Sequence, residues 1–371
     1  MFDIQGKYTT VHVTAKTLDE SSMAQIYAMA SHPAFEGSHC VVMPDAHAGA
    51  GSVIGWTSTL TNGRIIPNVV GVDIGCGVSS VKINKTARKM SFKHIDEEIR
   101  ERIPAGFAHQ EHVQDVVFTI PGIAEACALI GETPEKVSRQ IGTLGGGNHF
   151  IEINEDADEG SWVTVHSGSR NFGLRIAQHF QKIAKGQHPH GDAAWLEGED
   201  AENYLRAMRV AQEFAVRNRS MMLATLLDII GGDKLAAVDS VHNYIDFSGD
   251  VPIIRKGAIS AQAGQALLIP LNMRDGTIVG VGTGNAEWNY SAPHGAGRKM
   301  SRSHAKSSLD IHYFEKVMKG VWSSCIGKDT LDESPMAYKD AGDIIEQVTG
   351  QCIEPDHQVV KPVYNFKAGG E

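Results

Sequence analysis

An acid and a thiol lie three residues apart in the glycine-rich stretch VDIGCG (72–77), which interrupts an apolar run. They are Asp73 and Cys76. Glycine lets the backbone bend and approach a ligand closely, so side chains at such a bend are available to a charged ligand. Taken alone, Cys76 fits a core position, because free cysteine packs as a small hydrophobic residue. The pair therefore leaves two interpretations open: a turn beside the core or a metal site.

Three histidines occur in the same local setting, at a turn next to an apolar, strand-like run. They are His149 in TLGGGNHFIE, His166 in TVHSGSRN and His242 in SVHNYIDF. A single histidine beside a strand is more often a packed or surface residue than a ligand. Repetition of the same pattern around imidazole, thiolate and carboxylate groups favours a shared metal site.

These five candidate donors exceed the four ligands of a closed zinc site. They fit two adjacent metals with a shared ligand, or one metal with spare groups. A soft thiolate favours zinc or iron over manganese. The residues alone leave the number and identity of the metals open.

A fourth histidine has a different setting, in SAPHGAGRKMSR (291–302). His294 is followed by small residues and then by Arg298. Neutral imidazole can attack phosphorus and form a covalent intermediate, and arginine can hold phosphate oxygens with two hydrogen bonds. The alternative is a tight turn into a helix near Arg298, with its basic residues in solvent. The residues alone favour neither.

Short strands and amphipathic helices must position these groups. Strands are predicted at 40–43, 52–60, 69–72, 78–83, 162–165, 238–247 and 277–281. Helices are predicted at 91–103 and 171–185, with a long helix, whole or broken once, over 198–230. Because the strands and helices do not alternate as βαβ units, an α+β fold is expected. No linker divides the chain, so residues 1–371 are predicted to form one large domain.

The composition limits the classes of partner. A net charge of −10 argues against a broad electrostatic grip on nucleic acid but permits a local basic patch. Candidates for that patch are Arg170, Lys256, Arg298, Lys299 and Arg302. Five cysteines without a CxxC pair indicate neither a disulfide framework nor a zinc ribbon and favour a reducing, cytoplasmic setting. No apolar run is long enough to span a membrane.

Together these stretches resemble the RtcB family of RNA ligases. The similarity runs from about Met43 to the C-terminus and includes GVDIGCG, GTLGGGNHFIE, HSGSR, HNY, RKGAISAQAGQ, HGAGRKMSR and PMAYKD. It implies an α+β domain with mixed sheets around a central dinuclear metal cleft, with GTP and two Mn²⁺ ions as cofactors. It also implies a reaction that joins RNA 3′-phosphate or 2′,3′-cyclic phosphate ends to 5′-hydroxyl ends.

The resemblance carries roles over to particular residues. Asp73, Cys76 and His149 would hold one manganese ion, and Cys76, His166 and His242 the other, so that Cys76 bridges the pair. His294 would become guanylylated, Asp45 would handle the RNA 5′-hydroxyl, and Arg298 would help to stabilise phosphoryl charge. The implied nucleotide contacts, with Glu152 at the guanine base, are Asn148, Glu152, His294, Gly295, Gly297, Arg298, Tyr338 and Lys367.

Some features depart from the family. Gly49-Ala50-Gly51 replaces the usual glycine-lysine-glycine, and the chain is short, which indicates a divergent paralogue. The leading hypothesis is an RNA ligase of RNA repair or tRNA splicing that acts on broken RNA through histidine–GMP and RNA 3′-pp-5′-G intermediates. An activating or repair-pathway protein is a candidate partner. The alternatives are a manganese-dependent phosphodiesterase or cyclic phosphatase, and a non-catalytic sensor of RNA ends. Retention of His294 argues against the first alternative, because hydrolysis needs no nucleotide on the enzyme. The lysine lost at Ala50 slightly favours the sensor, but complete retention of the metal and nucleophile residues argues against it.

Overall fold

Strands supply the framework of the molecule, which a computed structural model describes for residues 1–368. Within these residues the strands are β1 (Phe2–Gln5), β2 (Thr10–Val13), β3 (Cys40–His47), β4 (Ile54–Thr59), β5 (Gly77–Ile83), β6 (Phe150–Glu155), β7 (Ser161–Ser167), β8 (Lys234–Val241), β9 (Asn243–Asp246), β10 (Ile253–Lys256), β11 (Ala258–Ser260), β12 (Ala266–Asn272), β13 (Gly276–Val281), β14 (Ser291–Pro293) and β15 (Gln358–Phe366). The helices are α1 (Glu20–Ala30), α2 (Pro67–Val70), α3 (Phe92–Arg102), α4 (Ile123–Leu129), α5 (Pro134–Ser138), α6 (Arg170–Gln187), α7 (Gly198–Ile230), α8 (Arg302–Ser308), α9 (Ile311–Val317) and α10 (Ala341–Val348). Residues 369–371 of the predicted domain lie outside the described residues.

Two large sheets carry most of the strands. The first has the order β1-β2-β3-β4-β10-β9, and the second has the order β12-β13-β15-β6-β7-β5-β8. β11 and β14 pair as a separate two-stranded sheet. In the first sheet β2 and β3 run parallel, whereas the neighbours in the second sheet are antiparallel. The predicted α+β class is confirmed, and the first sheet is mixed.

The long helix α7 joins two parts of the hydrophobic core. Near its middle, Phe214 contacts Phe172 of α6, with ring centroids 5.0 Å apart. Further along, Leu226 and Ile230 are buried in the cluster that lies under β5, β6 and β7. A helix is buried along one stripe when its apolar side chains recur at three- and four-residue spacing. The helix continues without a break, and the helices predicted at 91–103 and 171–185 are confirmed as α3 and α6.

Two local predictions are corrected. The strand predicted at 69–72 is wrong, because residues Pro67–Val70 form the short helix α2. Pro67 suits the first helical turn, where its fixed φ is compatible and its missing N–H is not needed, and Gly71 ends the helix with a φ of 101°. The single strand predicted at 238–247 is divided at His242 into β8 and β9.

No helix within residues 1–368 combines the length and apolar character needed to cross a membrane.

Candidate active site and metal centre

Donor residues from four neighbouring strands meet at one end of the second sheet. Cys76 immediately precedes β5 and His149 precedes β6, whereas His166 lies near the end of β7 and His242 follows β8. Each of these strands is antiparallel to its neighbour, so the starts of β5 and β6 lie beside the ends of β7 and β8. The antiparallel pairing therefore gathers donors that are far apart in the sequence.

The donors form two groups that share Cys76: Asp73 with Cys76 and His149, and Cys76 with His166 and His242. Within each group the donor atoms lie within 4.8 Å of one another. Cys76 Sγ lies 3.5 Å from His149 Nε2 and 3.4 Å from His166 Nε2. His166 Nε2 and His242 Nε2 are 3.4 Å apart. Lone pairs brought this close suit a cation between them, so the residues fit two metal ions with a shared thiolate.

Backbone carbonyls orient two of the imidazoles. His149 Nδ1 donates to the Leu144 carbonyl at 2.8 Å, and His166 Nδ1 donates to the Asn148 carbonyl at 3.2 Å. A carbonyl oxygen only accepts hydrogen bonds, so each Nδ1 carries the proton and each Nε2 keeps a free lone pair. Such an outer contact fixes the tautomer that a metal ligand needs.

The acid and the thiol differ in protonation. Burial favours neutral Asp73, but its contact with the His149 ring and the charge of Arg170 hold the pKa of Asp73 below its usual value. Burial and the charge of Asp73 raise the pKa of the Cys76 thiol well above its usual value. A metal ligand must be a thiolate, so metal binding here would displace a proton from Cys76.

Close packing fixes Asp73. The Ser169 backbone N–H donates to Asp73 Oδ1 at 3.0 Å. A Cβ atom at Gly168 would lie 2.2 Å from the same oxygen, so only glycine is compatible with this approach.

A fully buried arginine holds the strand ends beneath the donors. Arg219 of α7 donates to the carbonyls of Gly75 at 2.8 Å and Ser167 at 3.2 Å. Its remaining N–H groups reach Asp239 of β8 and Ser79 of β5. This one side chain therefore ties α7 to β5, β7 and β8 at the level of the donor groups.

His294 lies beside the donors and is held by an acid. Its Nδ1 donates to Asp45 Oδ2 at 2.7 Å, and its ring centroid lies 4.9 Å from that of His242. Asp45 is fully buried. Because Nδ1 is occupied, Nε2 is the nitrogen that is free to attack. This is the arrangement expected of a histidine nucleophile with an orienting carboxylate.

Cationic groups surround Glu333 on the other side of the cavity. Arg298 Nη1 and Lys367 Nζ each lie 3.2 Å from its carboxylate, and Arg302 also donates to it. The Tyr338 hydroxyl donates to it at 2.6 Å. The carboxylate is 3 % exposed, and these cations hold the pKa of Glu333 below its usual value even though burial opposes ionisation.

The pKa of a second buried acid, Glu152, is shifted in the opposite direction from that of Glu333. It accepts a hydrogen bond from Asn365 Nδ2 at 2.8 Å, and Lys367 lies close enough to interact with its charge. Burial dominates and raises the pKa of Glu152 to about 7. Glu152 is therefore poised between its neutral and ionised forms near neutral pH.

One cavity of about 750 Å³ brings these groups together. Of the residues assigned through the resemblance, those that line it are Asp73, Cys76, Asn148, His149, Glu152, His166, His242, His294, Gly295, Gly297, Arg298, Tyr338 and Lys367. Asp45 lies behind His294 and does not line the cavity. The volume is within the range of small-ligand sites.

Sequence reasoning missed three contributors to this site. Glu333 lies two residues before the start of PMAYKD (335–340), but no local sequence pattern indicates that it pairs with Lys367. Arg219 lies within a long helix and carries no local signal. His47 lies in MPDAHAGAG (43–51), which has the same turn-rich pattern as the other histidines, and it lines the cavity near His294.

The fold and the cavity define the class: an α+β protein in which a potential two-metal donor set lies beside a carboxylate-held histidine. Comparison with known proteins then identifies the family. The family model described as "tRNA-splicing ligase RtcB" matches residues 25–368, so this chain belongs to the RtcB family. The predicted resemblance is confirmed.

Several known proteins are similar over most of their length. RNA-splicing ligase RtcB of Escherichia coli (strain K12) is 33% identical over 344 residues, which cover 81% of this chain and 84% of that protein. tRNA-splicing ligase RtcB of Aeropyrum pernix is 28% identical, with 84% of each chain covered. RNA-splicing ligase RtcB2 of Escherichia coli (strain ATCC 25922) is 26% identical, with 95% of this chain and 93% of that protein covered.

Proposed function

We propose that this protein is a GTP- and manganese-dependent RNA ligase. It joins RNA ends that bear a 3′-phosphate or 2′,3′-cyclic phosphate to 5′-hydroxyl ends, in RNA repair or tRNA splicing. The observation that carries the proposal is His294, whose Nδ1 is held by buried Asp45 while the ring faces the two-metal donor set. Membership of the RtcB family supports the same reaction. A cytoplasmic location and a protein partner remain predictions.

His294 would carry the first chemical step. Its Nε2 attacks the α-phosphorus of GTP, a nitrogen–phosphorus bond forms, and pyrophosphate leaves. Asp45 Oδ2 stabilises the proton on Nδ1 as positive charge develops on the ring. Splitting a difficult transfer through a covalent enzyme intermediate is the advantage of a nucleophilic side chain.

The later steps return His294 to its starting state. An oxygen of the RNA 3′-phosphate attacks the phosphorus of the histidine-bound GMP, which frees His294 and leaves a 3′-pp-5′-G end. The 5′-hydroxyl oxygen then attacks the RNA 3′-phosphorus, and GMP leaves as the new phosphodiester forms. Asp45 is assigned to the 5′-hydroxyl by the resemblance and to His294 by its hydrogen bond.

Two groups of side chains would hold the manganese ions: Asp73, Cys76 and His149, and Cys76, His166 and His242. Neutral imidazoles, an ionised carboxylate and a shared thiolate make a suitable donor set. When bound, such ions neutralise charge on phosphoryl oxygens. The thiolate would favour a softer metal, so manganese is assigned through the family.

The nucleotide would lie along the cationic side of the cavity. Glu152 would accept hydrogen bonds from the guanine base, with Asn148, Tyr338 and Lys367 beside it. Gly295 and Gly297 lack side chains next to His294, and a Cβ at Gly297 would lie 2.0 Å from the Asp45 carbonyl oxygen. Arg298 lines this wall, and its guanidinium is held by Glu333 and by the Asp332 carbonyl.

A phosphodiesterase is the second candidate, since the donor set by itself is compatible with metal-assisted hydrolysis of a cyclic phosphate. Hydrolysis needs no nucleotide on the enzyme, whereas His294 and the cationic wall suit a guanylylated intermediate. A ligase would use both the candidate metal ligands and the wall that carries His294 and the cationic residues, so the ligase is preferred.

The test uses GTP labelled on its α-phosphate together with manganese. The protein should form an acid-labile covalent adduct, and His294→Ala should abolish both the adduct and the joining of 3′-phosphate ends. His294→Ala should still seal RNA that already carries GMP on its 3′ end, because that substrate bypasses the nucleophile. Exposed His304 on α8 provides a matched control, and His304→Ala should behave as wild type. Adduct formation by His294→Ala at the wild-type level would exclude His294 as the nucleophile.

A further inference from the structure

His47 is a cavity residue for which the proposed reaction has so far supplied no role. It ends β3 and pairs with Ile54 of β4, where a shift in register bends the strand. Its side chain lines the same cavity as His294. It follows Asp45 by two residues, so one strand carries both the acid behind His294 and the imidazole near it.

The tautomer of His47 is determined by the backbone. Its Nδ1 lies 3.0 Å from the Asp45 carbonyl oxygen, which can only accept, so Nδ1 carries the proton. Among residues 1–368 no group forms a hydrogen bond with Nε2 of His47. Burial lowers the pKa of His47 to about 4; the charges of His294 and Lys339 act in the same direction, and Asp45 opposes them. The ring therefore presents an unprotonated Nε2 at neutral pH.

Two lysines hold the segment around His47 in place. Lys339 Nζ donates to the Pro44 carbonyl at 3.0 Å and to the Ala46 carbonyl at 2.8 Å. Lys256 Nζ donates to the carbonyls of Ala50 and Ser52. Both Nζ atoms donate their protons to backbone carbonyls, so these lysines support the segment and do not act as bases in this arrangement. They make residues 44–52 a rigid support.

Asp45 is a poorer candidate for contact with the RNA hydroxyl. It is fully buried and does not line the cavity, and its Oδ2 is occupied by His294. Its Oδ1 is buried and has no hydrogen-bond partner among the described residues. An acid in this position acts through His294, whereas His47 borders the space where RNA would lie.

We infer that His47 Nε2 accepts the proton of the RNA 5′-hydroxyl in the sealing step, an inference that rests on the proposed ligase function. In this step the 5′-oxygen forms a bond to the RNA 3′-phosphorus, and the bond from that phosphorus to the bridging oxygen of GMP breaks. GMP leaves with the electron pair of that bond. The hydroxyl proton moves to His47 Nε2, and the resulting imidazolium returns it to water.

Two substitutions separate the functions of the ring. His47→Asn keeps a donor near the Asp45 carbonyl but removes Nε2, whereas His47→Gln places a non-basic acceptor near the position of Nε2. His357 supplies the matched control, because its Nδ1 also bonds to a backbone carbonyl, at 3.1 Å, but it lies outside the cavity. His357→Asn should leave both assays unchanged.

Both His47 variants should form the GMP adduct at the wild-type rate. They should seal RNA that already carries 3′-GMP about 10²- to 10⁴-fold more slowly, the usual effect of losing a general base. Added imidazole should partly restore sealing by His47→Asn while wild type in the same buffer gains nothing. Thermal melting identifies a variant that fails to fold. If either His47→Asn or His47→Gln fails, the other variant is used for the sealing assay.

The outcomes are distinct. Sealing at the wild-type rate by a folded variant would overturn the role of His47. Loss of adduct formation together with sealing would also overturn it, since His47 would then only support His294. Failure of wild type itself to form the adduct or to seal guanylylated RNA would reject the proposed function, independently of any variant.

Discussion

The two sides of the cavity are held in different ways. On the side with the candidate metal ligands, called here the metal side, imidazoles are oriented by backbone carbonyls at the ends of antiparallel strands. On the side where the nucleotide is proposed to bind, called here the nucleotide side, the groups come from separate loops and helices, and ion pairs to Glu333 hold them. Sheet hydrogen bonding resists small changes in charge, whereas an ion-pair cluster depends on each member being present and ionised. The metal side should therefore respond to loss of a ligand, and the nucleotide side to loss of a charge.

The largest effect is expected at the shared thiol. Cys76→Ser should lose most bound manganese and all detectable ligation while remaining folded, because the hydroxyl is a much poorer ligand than the thiolate for both donor groups. Metal content by elemental analysis, together with joining of 3′-phosphate ends, provides the measurement. Buried Cys127, remote from the cavity, is the control, and Cys127→Ser should keep its metal. Normal metal content and ligation in Cys76→Ser would return Cys76 to a packing role.

Replacing Glu333, the carboxylate shared by the cationic residues, should impair the nucleotide side and leave the metal side intact. Glu333→Ala leaves Arg298, Arg302 and Lys367 without their shared carboxylate, and breaking a buried ion pair in this way costs about 3–5 kcal/mol of stability. Urea unfolding would measure this loss, and the KM for GTP should rise while the manganese content stays at the wild-type level. Exposed Glu346, paired with Lys16, is the control, since such a pair contributes about 0–1 kcal/mol. Loss of manganese in Glu333→Ala would show that the two sides are not independent.

The pH dependence of GTP use should sharpen the same contrast. Burial raises the pKa of Glu152 to about 7. The ionised carboxylate accepts hydrogen bonds from guanine N–H groups through both oxygens, whereas protonation turns one oxygen into a donor. As pH falls below about 7 the protonated form predominates, so the KM for GTP should rise by up to tenfold per pH unit and should level off above pH 7. Adduct formation at varied GTP concentration measures this, with metal content followed in parallel. In Glu152→Gln the KM should be high and independent of pH; a profile that kept the wild-type shape would assign the titration to another group.

The smallest expected effect is on the salt dependence of the RNA-binding constant. The predicted basic patch is reduced in the structure, because Lys256 is buried with its ammonium on backbone carbonyls and Arg298 is tied to Glu333. Lys299 is exposed. Each phosphate contact contributes about −0.7 to the slope of log K against log salt for a single strand, so a grip on the RNA ends should give a shallow slope. Lys299→Ala should reduce it by about 0.7 in a titration monitored by fluorescence anisotropy. A slope equivalent to ten or more contacts would indicate a broad binding surface.

The local features of this protein follow from short stretches of its sequence. Apolar periodicity predicted α3 and α6 closely, because an amphipathic helix repeats its pattern within a few turns. Glycine-rich turns next to strand-like runs marked the five candidate donor residues from Asp73 to His242. The resemblance, rather than the residues alone, marked His294 as the proposed nucleophile. The strand predicted at 69–72 failed, because the β-branched residues there were outweighed by Pro67 and Gly71, which favour a short helix.

Which of these features come into contact depends on the folding of the whole chain. Asp45 and His294 are 249 residues apart and bond through side chains, and Glu333 finds Lys367 in the same way. No local pattern encodes such a contact, since it depends on strand order, register and the position of α7 behind the sheet. The accessible Nε2 of His47 likewise follows from a carbonyl contact at a strand bend. Residue types and turns can be inferred along the chain, but partners across the cavity are determined by packing, because most buried charged and polar groups are paired in the folded state.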